Sequence, residues 1–360
     1  MKNRIRRLVS CMVFLFILFQ AFLSVTNLFR NPSQDRLRIT GLYEEGPLDV
    51  IYIGGSSTFV YWQPLKAWHD CGFTSYSYAT NSLEADGRLY YLKEALKSHR
   101  PEMFVIEMRD FLAIGDTVYE AGMRNGTDSM DFLSPNRWEY IYQYLKKRNV
   151  TEDTDKLSLY LDIIKYHANK SVLSSPLAWE NLDNHARCPG RGWEWLDRWE
   201  FVEKPSGFQA SEPAKLDERT VSVLTELLGF CKKEGIEALF VVAPFTVTQA
   251  GQEIYLAVSD MVHSYGYDFL NTNDYYEEMG LDFSEDFYNG YHVNLFGAEK
   301  YTEFLESYLT KNYDLQNHAG EQQYQEWNDA YEIFLQEETQ HKQTVRGLMQ
   351  SAEKEGGQGE

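Results

Sequence analysis

Asp49-Val-Ile-Tyr-Ile-Gly-Gly-Ser-Ser-Thr58 is the stretch that decides how this chain is read. Asp49 to Ile53 is a short apolar run rich in β-branched and aromatic residues, cut off by Gly54-Gly55, and it reads as a buried strand. Two glycines let the backbone turn sharply and bring its N–H groups to the surface. The hydroxyls of Ser56, Ser57 and Thr58 then fall at the start of a helix, where negative charge is stabilised. Two meanings fit. Ser56 is a nucleophile beside an oxyanion site, or these hydroxyls cap a helix after a tight turn. A phosphate-binding loop needs GxxxxGK[ST] or GxGxxG, and neither is present.

The same rhythm recurs outward from this point. Gly72–Ser77, Met103–Glu107, Ala238–Ala243 and Tyr267–Leu270 are further strand-like runs. Leu89, Leu92 and Leu96 make one helical stripe between the second and third. A helix over Leu216–Glu234, stopped by Gly235, precedes the fourth strand, and Ala298–Leu309 forms a last core helix. Apolar strands alternating with helices predict an α/β domain over residues 49–312. Its expected form is a flavodoxin-like doubly wound sheet of about five parallel strands, with helices on both faces. Residues 115–215 break the rhythm and read as a mostly helical insertion, with helices near 136–148 and 156–168. Residues 313–350 read as a helical extension and 351–360 as a disordered tail.

The N-terminus is different in kind. Lys2, Arg4, Arg6 and Arg7 precede an uncharged apolar run from Leu8 to Val25. Eighteen residues span roughly 27 Å, enough for a bilayer core. Residues 1–30 therefore read as a cytoplasmic stub and transmembrane anchor, and 31–48 as a polar linker. The positive cluster places the N-terminus inside and the domain outside. A cleaved signal peptide is the rival reading, although TNLFRNPSQD offers no Ala-x-Ala site. Five of the 34 basic residues and no acidic one lie in residues 1–30. The remainder carries 29 basic against 54 acidic, a net charge of −25. That field excludes nucleic acid as a partner. Cys11, Cys71, Cys188 and Cys231 form no CxxC or Cys/His cluster, so neither a metal nor another cofactor is expected.

A second informative stretch is Asp286-Phe-Tyr-Asn-Gly-Tyr-His292-Val-Asn-Leu-Phe-Gly297. It follows the last strand, so His292 would reach the carboxyl edge of the sheet beside the first loop. A lone histidine there is either a base or a structural residue.

Together the two stretches resemble the SGNH (GDSL-like) hydrolase family. DVIYIGGSSTFVYWQP is similar to its nucleophile block in cell-surface relatives, and HVNLFGAEKYTEFL to its histidine block. The resemblance spans roughly residues 45–115 and 216–310. It implies Ser56 as nucleophile, with Ser57 as the lesser option, and His292 as base. The acid position of the D-x-x-H block holds Asn289; Asp286, or more weakly Glu285, would have to supply a carboxylate. The oxyanion donors of the family have no direct match, which leaves the Ser56 amide, Asn81 and Arg109 as candidates, with Gly54, Gly55 and Ser57 supporting the loop. Arg109 could equally pair with Glu107 or Asp110. The family includes proteins that move acyl groups onto envelope polymers. The expectation is thus a serine esterase or O-acyltransferase outside the cytoplasm, acting on an acylated glycan or cell-envelope polymer, with a membrane acyltransferase as a further candidate partner. The alternative is a catalytically degenerate protein of the same fold that binds glycan or assists such a transferase. Trp193, Trp195 and Trp199 could stack on sugars or pack internally. Arg124, Asp128 and Arg137 could line the cleft or be solvated. His167 and His185 have no metal spacing.

Overall fold

The run Val50–Gly54 forms β1, and every one of its residues is buried. In the computed structural model, which describes residues 2–30, 34–151, 155–174, 179 and 187–356, β1 lies between β2 (Ser75–Ala79) and β3 (Met103–Glu107). β4 (Ala238–Val242) and β5 (Asp268–Asn271) complete a five-stranded sheet in the order β2-β1-β3-β4-β5. All four pairings are parallel. All residues of β1 to β4 are buried, so the sheet is covered on both faces, as parallel sheets require. Only β5, at one edge, is partly exposed.

The second strand starts later than its sequence suggests. Gly72 adopts φ +79 as the left-handed cap of helix Pro64–Cys71, so the extended run begins at Ser75. Register then fixes the edge that matters. Gly54 pairs with Ala79, Ile53 with Ile106, and Glu107 with Val241. The loops after β1, β2, β3 and β4 therefore emerge together at the carboxyl edge, where open α/β sheets bind ligands.

The segment between β3 and β4 carries helices Glu120–Thr127, Pro135–Lys147, Lys156–Tyr160 and Asp162–Tyr166. Arg137 is neither in the cleft nor solvated; it is fully buried and bonds Asp162 at 2.6 Å and the carbonyls of Thr127 and Leu159. Asp162 also pairs with Arg30 at the end of the N-terminal helix. Arg124 is buried on Ser158 and Glu120, and Asp128 accepts from Tyr166 at 2.6 Å. These charges tie the base of the N-terminal helix to the domain.

That helix, Lys2–Phe29, is long and apolar enough to cross a membrane. The expected linker is largely helical: Gln34–Gly41 packs on β2, with Ile39 and Leu42 fully buried. At the other end, helix Leu295–Asn312 is followed by helix Gln325–Gly356, which packs on Pro64–Cys71. Residues 351–356, read as tail, continue this helix; 357–360 lie outside the described residues. Trp195 is sandwiched with Phe334 and His341, meets Trp193 edge-on, and donates to Glu337, while Trp199 donates to the Ser284 carbonyl. The tryptophans are packing residues. All four cysteines are free thiols.

Gly54 shows how tightly β1 ends. A Cβ there would lie 1.9 Å from Thr58 Oγ1 and 2.8 Å from Glu107 Cβ. Gly54→Ala should therefore destabilise the fold by about 3 kcal/mol, the upper range for overpacking. Urea unfolding would read the loss, and adding Thr58→Ala should recover part of it.

Candidate active site

The nucleophile candidate is set by the turn that ends β1. Gly55 is the N-cap of a single helical turn, Ser56–Phe59, which puts Ser56 at its first position. Ser56 is half-buried, whereas Ser57 is 1% exposed and faces inward. Only the first of the two hydroxyls is therefore presented to the edge of the sheet.

His292 arrives from a small hairpin that the sequence pattern had concealed. β6 (Phe287–Asn289) and β7 (His292–Val293) run antiparallel around a Gly290-Tyr291 turn, pairing Asn289 with His292. The hairpin is held against the sheet at three points. Thr246, after β4, donates its N–H and hydroxyl to the Gly290 carbonyl at 2.8 and 2.7 Å. The Tyr291 carbonyl receives the Tyr61 hydroxyl at 2.9 Å and the Arg109 guanidinium at 2.5 Å. The Val293 N–H donates to the Tyr61 oxygen at 3.2 Å. The backbone on both sides of His292 is thus clamped, and its imidazole Nε2 lies 2.8 Å from Ser56 Oγ.

The other imidazole nitrogen decides the chemistry. Nδ1 lies 3.2 Å from Asn289 Oδ1. The same oxygen accepts the Tyr291 N–H at 2.9 Å, which fixes the orientation of the amide. An amide oxygen only accepts, so Nδ1 must carry the proton and Nε2 must offer its lone pair to the Ser56 hydroxyl.

Asp286 is not the partner of the imidazole. Its carboxylate takes Lys300 Nζ at 2.6 Å and the Asp282 N–H at 2.7 Å, and its carbonyl accepts from the Asn294 N–H at 2.9 Å. It shapes the loop that carries the hairpin, while Asn294 caps the following helix. Among the described residues the bond at Nδ1 is to the neutral Asn289 amide, which does not supply the negative charge that a triad carboxylate would. His292 is accordingly pushed down to about 4, first by burial and then by the Arg109 guanidinium, with Asp110 acting the other way. It is a neutral base at physiological pH.

Arg109 braces the hairpin. It is buried, and its Nη1 meets the Tyr291 carbonyl and the Tyr61 hydroxyl. Asn81 stands exposed in the turn two residues past the strand end that pairs with Gly54. Beneath the site lies a charged layer, one member of which, Arg88, sequence reading passed over. Glu107, fully buried, accepts from the amides of Arg109 at 3.0 Å and Ala243 at 3.4 Å, and burial pushes its pKa up. Arg88, also fully buried, bonds the carbonyls of Glu107 and Leu83 and pairs with Asp110, whose carboxylate flanks Gly55. A lone arginine within the otherwise apolar face of helix Gly87–Ala95 was the available signal. Tyr288, which lies against His292, is held by Arg198 at 2.9 Å. His167 bonds the Ile164 carbonyl, and His185 lies outside the described residues. No group of metal-binding side chains occurs among the described residues.

Comparison with family models, with curated proteins and with solved structures found no match to this chain.

Asn289→Asp tests the electrostatics directly. A carboxylate beside Nδ1 favours the charged imidazole and should raise His292 by about 1–3 pH units. His292 serves as a base only when unprotonated. A phosphonate probe should therefore label wild type until pH falls through about 4, and should begin to fail at higher pH in the variant.

Proposed function

We propose that the protein is a serine esterase or O-acyltransferase of the SGNH hydrolase type. On this reading helix Lys2–Phe29 anchors it in the cell membrane with the α/β domain outside, and it acts on acyl esters of an envelope glycan or polymer. The observation that carries the reading is the 2.8 Å contact between Ser56 Oγ and His292 Nε2, with the tautomer set by Asn289. Strand order supports it as well. β2-β1-β3-β4-β5 is the flavodoxin-like doubly wound order, whose ligand crevice opens between the ends of β1 and β3. Ser56 follows β1, and Arg109 and Asp110 follow β3. Residues 115–215 are then an insertion into that core between β3 and β4.

The proposed steps are those of acyl transfer. Ser56 Oγ attacks the ester carbonyl while His292 Nε2 takes the hydroxyl proton. The tetrahedral oxyanion develops beside the backbone amide of Ser56 at the head of its helical turn, where N–H dipoles are aimed outward. His292 then protonates the departing alcohol. Water or a sugar hydroxyl resolves the acyl-enzyme, again with His292 as base. Asn289 positions the imidazole but does not neutralise its cationic form, so turnover should be slower than a carboxylate would permit.

The absence of a carboxylate at Nδ1 also favours a second reading. The same fold would hold an acyl chain or glycan without turnover, or assist a membrane acyltransferase. A fluorophosphonate probe distinguishes the two. Acyl transfer predicts covalent labelling of Ser56 that disappears in Ser56→Ala and slows by about 10²–10⁴ in His292→Ala, the usual worth of a positioned base. Equal labelling of wild type and Ser56→Ala would refute the nucleophile. No labelling of a folded wild type would favour the binding protein.

A further inference from the structure

We propose that the cavity where the N-terminal helix meets the domain binds the head of an anionic, hydroxyl-bearing membrane phospholipid such as phosphatidylglycerol, its first methylenes lying along the helix. The inference rests on the anchor reading given above and is independent of the chemistry at Ser56.

The cavity encloses about 590 Å³. One wall is the helix itself, through Gln20, Leu23, Ser24 and Asn27. These follow the i, i+3, i+4, i+7 spacing of a single helix face. The apolar run ends at Val25. At 1.5 Å per residue, Gln20 therefore lies roughly 7 Å inside the hydrocarbon boundary and Asn27 roughly 3 Å outside it. The cavity straddles the level where acyl chains give way to headgroups.

The opposite wall changes character along the same axis. Phe132 lines it low down, with its ring 6.5 Å from Phe19 and 5.7 Å from Phe22. Arg30, Arg36 and Lys97 line it further out. Arg30 keeps Asp162 and Lys97 keeps Glu94 at 2.9 Å. Arg36 is pushed down to about 9 by burial and then by the neighbouring Arg30, the mark of two cations crowded in one place. Glu44 and Asp131 also face the cavity. Guanidinium groups suit a phosphate, and carboxylates suit the hydroxyls of a polyol head. That mixed lining sits on a chain whose residues 31–360 are strongly acidic, so bulk electrostatics does not account for the cluster of cations.

A separate observation sets the same level. The segment packed on this helix exposes large apolar side chains around it: Leu133 at 59%, Leu157 at 58% and Trp179 at 55%, with Leu173 and Trp138 less so. Trp138 Nε1 donates to the Phe132 carbonyl, its ring packed between Phe132 and Tyr160 with one edge exposed, and Trp179 Nε1 donates to the Leu173 carbonyl. Tryptophans and leucines in this position form the belt found where proteins enter the headgroup region. The contact of Phe132 with Phe19 and Phe22 places Phe132, with its neighbours Leu133 and Trp138, beside the outer turns of the apolar run.

The test uses the full-length protein, extracted in mild detergent from membranes of phosphatidylglycerol and phosphatidylethanolamine and weighed intact by native mass spectrometry. One phosphatidylglycerol should remain on each chain. Arg36→Gln with Lys97→Gln should lower its occupancy at least about tenfold, the worth of one or two charge-assisted bonds. Ser24→Leu, at an exposed position on the cavity wall, should fill the cavity and do the same while leaving the domain folded and its phosphonate reactivity unchanged. Equal retention by all three proteins would overturn the proposal. So would stabilisation by inorganic phosphate alone equal to that by the lipid, or a co-purifying membrane protein displaced by Ser24→Leu in place of lipid. Alkaline carbonate extraction separates the two levels of failure. Release of the chain from membranes would overturn the anchor reading, whereas retention without bound lipid would overturn only the lipid site.

Discussion

The convergence of Arg109 and Tyr61 on the carbonyl of Tyr291 is the contact on which the candidate site depends. A two-stranded hairpin of seven residues, 287–293, has little stability of its own. Here it carries the imidazole that reaches Ser56. Arg109 comes from the end of β3, Tyr61 from beyond the Ser56 turn, and Thr246 from the end of β4. Three loops of one sheet edge thus hold a fourth. The buried layer of Glu107 and Arg88 holds Arg109 and Asp110 in turn. A parallel sheet buried on both faces makes this possible, because it fixes the relative heights of those loops through register rather than through the loops themselves.

The same clamp has an electrostatic consequence. The guanidinium that positions the hairpin stands close enough to His292 to oppose its protonation, and burial acts in the same direction. A triad carboxylate would offset both. Asn289 supplies orientation without charge, so the site has the geometry of a nucleophile–base pair with a base poised well below neutrality. Geometry and driving force are separable in this protein, and they were joined in the resemblance that first suggested its chemistry.

Much of the fold could be read in the sequence because it is written in local patterns. The central strands β1, β3 and β4 are short, mostly apolar runs, and burial on both faces requires them to be so. Ser56 followed from the Gly54-Gly55 turn, and His292 from its place after the last strand. What could not be read depended on contacts distant in sequence. Nothing local shows that Asp286 is drawn to Lys300, so the choice between Asp286 and Asn289 stayed open. The contact of Arg109 with the hairpin was not legible because its partner, a backbone carbonyl at position 291, leaves no trace in composition. Arg137 and Arg124 looked like surface charges because charged residues usually are. Arg137 is buried on Asp162, which also takes Arg30 of the N-terminal helix, and Arg124 on Ser158 and Glu120, contacts distant in sequence or hidden in the fold. The expected linker at residues 31–48 was judged by its polarity, while Ile39 and Leu42 are fully buried and Arg38 bonds Tyr76 and Ala79 of β2.

The central claim is that the amide oxygen of Asn289, fixed by the Tyr291 N–H, forces the proton of His292 onto Nδ1 and turns Nε2 toward Ser56. Nitrogen-15 NMR of the full-length protein in detergent, with His292 assigned by its loss in His292→Gln, reads this directly. A neutral imidazole protonated at Nδ1, taking up its second proton only near pH 4, is the predicted result. An imidazole protonated at Nε2, or one that titrates at the ordinary value near 6.5, would contradict it.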